Sequence, residues 1–524
     1  MWPSSTTSPP SSCEQLALDP TPHLLRTATD AAATARLRTR AITRPPAGAR
    51  LRGRGGALDL VAPVALLTLV ALSALLVLLS AAHPSFLTPI SNPRFFPAWM
   101  AGPLGGLWPP RAISETTLHT LITVIVTVMY LAYVTAIALS GRLRASLVIA
   151  ALLAIHLAFL LAPPLQYTDV FNYINYGRMG VVHDLNPYTT VPLLEPHNDP
   201  AFALSNWHWL VSPYGPIFTL FTYALVPLGV TGAFWTLKLV IGLASLAVLA
   251  LVWRCAEMLD RDPVRAIALV GLNPIVLVWG LGADHNDILM VLPLMLGVYL
   301  LIRARSAAPN LRLAAGRLRI SDEHLAAAAF VAAAGIKASA AVVIPIAFAA
   351  APRRRAFAAG IVIAGLALLL ASYAAFGAHL PGLGSQTQLV TGIGPANLLG
   401  WLLGQGGETD TLRTILTILA GGFVIAAAVR ARRPGRDWIV LAGASLFVVW
   451  ISTSWFAPWY IVWILPFAAL AAGRRLTLCL LLVGVYLLLA FGPEVTPLLH
   501  ALHFDPFGSP LGRQHYKLNS HLVQ

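Results

Sequence analysis

The chain has 524 residues, of which 57% are hydrophobic and 11% charged, and its mean hydropathy is +0.74. A soluble domain carries about 25% charged residues, so this composition excludes an ordinary soluble protein and points to an integral membrane one. The formal charge of +14 comes mostly from Lys and Arg in short gaps between apolar runs, as the positive-inside rule and attraction to anionic lipid produce; with no basic face, RNA-binding motif or zinc spacing, nucleic acid is not an expected partner.

Residues 1–57 are rich in Ser, Thr, Pro, Ala and Arg and contain no signal-peptide core. They read as a disordered basic tail held in the cytoplasm. An apolar helix of about 20 residues crosses the hydrocarbon layer, and residues 58–495 contain about thirteen candidate runs. The first three are Leu60–Ala82, Leu118–Ser140 and Ala145–Leu165. A hydrophilic loop then leads to "YGPIFTLFTYALVPLGV" (Tyr214–Val230). This segment is apolar, yet a full crossing there would place every later Arg cluster on the wrong side. It reads as an interfacial or re-entrant helix, so 166–230 forms one large outer loop.

Phe234–Trp253, Ala266–Leu281 and Ile288–Ile302 follow. Glu323–Ala334 and Ala338–Ala350 have charges at both outer ends and must enter and leave from one side, turning near Gly335-Ile336-Lys337. The remaining runs are Ala356–Phe376, Leu412–Val429, Trp438–Trp450, Trp459–Ala472 and Leu476–Phe491, before a C-terminal tail, 496–524. With the N-terminus inside, the gaps "GRLR", "RCAEMLDRDPVR", Arg303–Arg319, "PRRR", "RARRPGR" and "GRR" all fall in the cytoplasm. Cys13, Cys255 and Cys479 are odd in number and far apart, and read as packing residues.

On this topology polar residues gather at the outer face. "QYTDVFNYINYGRMGVVHDLNPYTTVP" begins just outside the third run and holds Asp169, Tyr173, Tyr176, Arg178 and His183; His208 lies farther along the loop. "GADHNDIL" places Asp284, His285 and Asp287 at the outer end of another run. Lys238 lies about one turn inside its helix, Lys337 at the hairpin tip, and Trp455 and Trp459 in "STSWFAPWYIVW". Each has an ordinary reading alone: a snorkelling Lys, an aromatic belt, a helix cap. Together they suit transfer from a membrane-embedded, phosphate-linked donor. A carboxylate takes a proton from an acceptor hydroxyl, cations hold the phosphate, and aromatic rings stack on a sugar. Asp284, His285 and Asp287 are also types that bind Mg²⁺ or Mn²⁺, but the spacing is nonspecific and no cofactor is expected. A lipid-linked oligosaccharide transporter or flippase is the alternative class, although no internal repeat supports it.

These motifs, with "SPYGPIFTLFTYAL", "AAGIKASA" and "FAPWYIVWILP", resemble the GT-C superfamily of polyprenyl-phosphate-sugar glycosyltransferases. The resemblance spans Leu60 to Phe491. It is greatest to glycosyltransferase family 87 and the actinobacterial polyprenol-phosphate-mannose-dependent α-1,6-mannosyltransferases. It implies an all-α polytopic bundle at the plasma membrane, its site facing outside, and an inverting reaction in which Asp169 is the general base. The acceptor would be a glycolipid or cell-wall mannan. Another donor sugar, arabinose or glucose, is the alternative. Lys337 and Lys238 match basic residues that contact the donor phosphate, and Arg178 is a phosphate or structural partner. Tyr173, Tyr176, His208, Asp284, His285, Asp287, Trp455 and Trp459 are the candidate sugar and acceptor wall. Asp169 lacks the acidic neighbour that many of the superfamily have, which argues against a metal.

Overall fold

The computed structural model describes residues 57–82, 97–107, 113–166, 168–306, 313–315, 318–386 and 389–522. The expected basic tail up to residue 56, Cys13, Tyr167 and part of the 303–319 stretch lie outside them. The described chain is an all-α polytopic membrane protein, apart from a small antiparallel hairpin in which β1 (Leu313–Ala315) pairs with β2 (Leu318–Ile320).

The helices are α1 (Ala57–Ala82), α2 (Glu115–Ala138), α3 (Ala145–Leu160), α4 (Asp169–Val182), α5 (Pro216–Leu225), α6 (Gly229–Met258), α7 (Pro263–Gly271) and α8 (Asp287–Arg305). Then come α9 (Asp322–Ile336), α10 (Ile344–Ala350), α11 (Arg354–Phe376), α12 (Pro395–Leu402), α13 (Asp410–Ala431), α14 (Trp438–Ser452), α15 (Leu465–Leu470), α16 (Arg475–Phe491), α17 (Val495–Ala501) and α18 (Pro510–Leu522). Several starts follow from sequence: Asp262 and Asp437 each accept backbone N–H groups of the helix they precede, and Ser114 accepts from Thr117.

The expected runs, about thirteen, include long helices and shorter ones. Among the described residues six are long and apolar enough to cross a membrane by length and composition, or seven if α16 and α17, bent by 71°, count as one. Several expected runs are shorter or broken, and the breaks have local causes. The Ala266–Leu281 run stops at Gly271, where the Asn273 side chain accepts the Ile275 N–H at 2.9 Å and a π-helical turn, Val276–Leu281, follows. Ala338–Ala350 and the run from Trp459 begin as 3-10 turns before Pro345 and after Pro458. The expected C-terminal tail is folded: α18 buries Leu511, and Pro506 accepts a hydrogen bond from Asn397 at 2.7 Å.

The helical hairpin is present. α9 ends at Ile336, Lys337 is extended (φ −149°), and α10 returns the chain until Arg353 meets Glu323 at 2.7 Å. α8 lies against α9 and, at 19 residues, is roughly 28 Å long. At one end Asp287 of α8 meets Lys337; at the other, Arg303 lies 3.5 Å from Asp322 of α9. An apolar length near the thickness of a hydrocarbon layer therefore separates two charged ends.

Candidate active site

The site is built on one short, largely buried helix. In α4 the residues Asp169, Asn172, Asn175 and Arg178 recur every third position, a row that winds around the helix because three residues fall short of a full turn. Three of them clamp the long loop that follows. Asn172 accepts the backbone N–H groups of Asn206 and Trp207, both at 3.0 Å, and donates to the Asn206 side chain at 2.6 Å. Asn175 donates to Glu195 at 2.6 Å. The Arg178 guanidinium grips Asp199 at 2.8 and 2.9 Å, and His183 reaches the same carboxylate at 2.7 Å.

The first residue of the row, Asp169, is aimed by that clamp. Asp169 is the first residue of α4, and the Trp207 indole N–H donates to its Oδ1 at 2.8 Å. The His285 ring nitrogen lies 3.5 Å from its Oδ2. Asp169 is 8% exposed. Burial pushes its carboxyl up to about 6, against the Trp207 hydrogen bond and the Lys337 charge, which lower it. A carboxyl in that range is ionised near neutrality and still basic enough to accept a proton.

The hairpin tip supplies the second part. Lys337 donates to both oxygens of Asp287, at 2.8 and 2.9 Å, and its ammonium lies 4.4 Å from the Tyr460 ring centroid. Trp463 donates to Asp287 at 2.6 Å. Backbone contact fixes this tip against the α5 entry: the Gly215 N–H donates to Ile336 at 2.9 Å, and a Cβ at Gly215 would fall 2.2 Å from the Gly335 carbonyl oxygen. Only glycine permits that approach.

Asp169, Lys337, Asp287 and His285 line one cavity of about 720 Å³, within the range of small-molecule sites. Tyr173, Tyr176, Trp455 and Trp459 form its aromatic walls, with Trp459 stacked on His285 at 3.7 Å between centroids. The cavity continues as an apolar arm along α13, lined by Thr417, Ala420, Gly421, Val424 and Ile425. Ile425 is also 67% exposed on the outside of the bundle, so the arm reaches the side surface.

Four candidates from the sequence stand elsewhere. Arg178 is spent on Asp199, and His208 packs on Phe202 with its ring nitrogen near Ser205 at 2.9 Å. Lys238 and Asp284 pair with each other at 3.0 Å, both almost fully buried. None of the four lines the cavity.

Three contributors escape the sequence reading. Trp207 sits in the loop without a distinguishing motif, and Tyr214 lines the wall beside it. Arg413, in the first turn of α13, reads as an ordinary residue at a span end. Its Nε donates to Ser454 at 2.9 Å and lies 3.5 Å from Glu408, while its buried Nη2 has no hydrogen-bond partner. The guanidinium lines the cavity with a donor to spare. Among the described residues no group of three or more His, Cys, Asp or Glu side chains is placed to hold a metal ion.

The family model "Alpha-(1->6)-mannopyranosyltransferase, N-terminal domain" matches residues 67–353. The chain is 28% identical over 383 residues to the Alpha-(1->6)-mannopyranosyltransferase A of Mycobacterium tuberculosis, covering 66% of this chain and 69% of that protein. It is 26% identical over 167 residues to the protein of the same name in Corynebacterium glutamicum, covering 30% and 32%. No solved structure matches the chain.

Proposed function

The chain belongs to the alpha-(1->6)-mannopyranosyltransferase family, and from that premise we propose that this membrane glycosyltransferase moves mannose from a polyprenyl-phosphate donor to a lipid-linked or cell-wall mannan. One observation carries the reading. A buried carboxylate, Asp169, and an ammonium, Lys337, line a single aromatic-walled cavity whose apolar arm reaches the side of the bundle.

In this reading the polyprenyl chain lies in the arm along α13. Lys337 and the spare donor of Arg413 hold the donor phosphate. Asp169 takes the proton of the acceptor hydroxyl. The acceptor oxygen attacks C1 of the mannosyl group, and the bond from C1 to the phosphate oxygen breaks. Its electron pair stays on that oxygen, giving polyprenyl phosphate, whose added charge the two cations stabilise. Attack opposite the leaving group inverts a β-linked donor to an α-mannoside. The aromatic walls stack on the sugar faces, and no metal or cofactor is invoked. The Arg-rich end of the bundle lies in the cytoplasm by the positive-inside rule, which turns the cavity outward.

The test is release of polyprenyl phosphate by the purified protein given polyprenyl-phosphate mannose and a mannoside acceptor. Asp169→Asn should lower turnover by about 10²- to 10⁴-fold; unchanged turnover overturns the general base. Donors carrying arabinose or glucose test the sugar. Movement of a lipid-linked sugar across vesicles without any product would replace the transferase reading by a flippase.

A further inference from the structure

At the end of α8 and α9 away from Lys337, a second cavity of about 730 Å³ opens between the hairpin exit, the start of α11 and the end of α13. Its walls carry Arg305, Arg353, Arg354, Arg355, Arg432 and Arg433. Among the described residues only Arg353 has a carboxylate partner, Glu323 at 2.7 Å. Five guanidinium groups therefore face one cavity without a counter-charge.

Two of them are fixed in place by backbone. Arg305 donates to the Ala350 carbonyl and Arg354 to Ala349 at 2.9 Å, using the unpaired carbonyls that end α10. Neither contact uses all five donors of a guanidinium. Arg354 and Arg355 also occupy the first turn of α11, where the helix dipole favours an anion over a cation. Among the described residues no carboxylate pairs with these five groups, so a bound anion relieves the local field.

The surroundings say what that is. α11 and α13, which frame the cavity, are the least buried of the long apolar helices, each with 17% of its apolar window inside the bundle. Val429, 50% exposed, lies one turn before Arg432 and Arg433, and Val362 and Ile363 lie two turns beyond Arg355. A molecule seated here has its charged part among arginines and its tails against exposed apolar faces.

We propose that this arginine cavity is a binding site for the phosphate headgroup of an anionic membrane phospholipid. The site is separate from the Asp169 cavity and does not depend on the reaction assigned there. Arg432 and Arg433 grip the phosphate from just past the end of α13, and Arg354 and Arg355 grip it from the start of α11, so a bound lipid ties together two helices whose apolar faces are mostly exposed.

The test compares the full chain in lipid nanodiscs of phosphatidylcholine alone with discs containing phosphatidylglycerol, together with native mass spectrometry of the protein released from each. Phosphatidylglycerol should raise the thermal transition and remain bound through release. Arg432→Gln/Arg433→Gln should lose at least tenfold in lipid retention; both residues are exposed and make no ion pair among the described residues, so the fold is retained. Added salt should weaken the effect. Equal retention of neutral lipid overturns the site. An equal stabilisation by inorganic phosphate or pyrophosphate in neutral discs overturns a lipid as the ligand. Retention unchanged in the double variant removes the arginines from the site.

Discussion

Trp207 donates its indole N–H to Asp169, 38 positions earlier in the chain, at 2.8 Å. That bond favours the ionised carboxylate, whereas burial, the larger effect, raises Asp169 to about 6. Turnover should accordingly climb as pH rises through about 6 and level off above it. Trp207→Phe removes the donor and lets the carboxyl rise further. The acidic limb of the pH–rate profile should then move up by roughly one unit, the worth of one charge-assisted hydrogen bond. A limb that stays in place would show that Trp207 does not tune this carboxyl.

Arg413 distinguishes a phosphate ligand from a packing residue. Arg413→Gln keeps most of the volume and removes the charge. Loss of a charge-assisted contact predicts roughly a 10- to 100-fold rise in KM for the donor, with KM for the acceptor little changed. A fall in thermal stability with donor KM unaltered would instead assign the residue to the Glu408–Ser454 network alone.

Lys238 and Asp284 form a buried pair, so their roles separate by stability rather than substrate binding. Lys238→Ala leaves an isolated carboxylate in the interior and should cost about 3–5 kcal/mol. The double variant Lys238→Met/Asp284→Leu should recover much of that loss, since neither charge is then stranded. Thermal melting in detergent reads both. A single variant that melts like the parent but binds donor poorly would return Lys238 to the phosphate.

Glu195 gives the clamp a pH dependence. Burial, the largest cause, pushes its carboxyl up to about 7 from the ordinary 4.5, and Asn175 opposes this by its hydrogen bond. The folded chain holds this proton more tightly than the unfolded one. The associated stability is complete below the unfolded value and is lost as pH rises through about 7. Melting temperature against pH should therefore fall less between pH 5 and 8 in Glu195→Gln than in the parent. Parallel curves would show that the clamp does not titrate there.

How much of this was legible beforehand depended on whether the signal was local. The hairpin tip at Lys337 was readable, because charges at both ends of an apolar stretch force it to turn. Asp169 stood out as an acid at the edge of an apolar run. The three-residue spacing of Asp169, Asn172, Asn175 and Arg178 is present in "DVFNYINYGR", yet a hydrophilic stretch between spans reads only as loop. Partner choice was not readable. Arg178 and Lys238 each looked free to hold phosphate, and only folding brings Asp199 and Asp284 against them. Arg413 was hidden because an arginine at a span end is ordinary, and its partners Glu408 and Ser454 come from separate segments. The breaks within the expected runs, such as the Asn273 turn and Pro458, were hidden because hydropathy does not register them.

The arm that ends beside the exposed Ile425 bears on how the proposed donor is sampled. A lipid entering by that route never passes through water, so the protein encounters it by diffusion in two dimensions. Saturation should then track the mole fraction of donor in the bilayer and be insensitive to total volume. Adding inert lipid at constant donor should slow the reaction, while diluting the vesicles with buffer should leave the rate per enzyme unchanged.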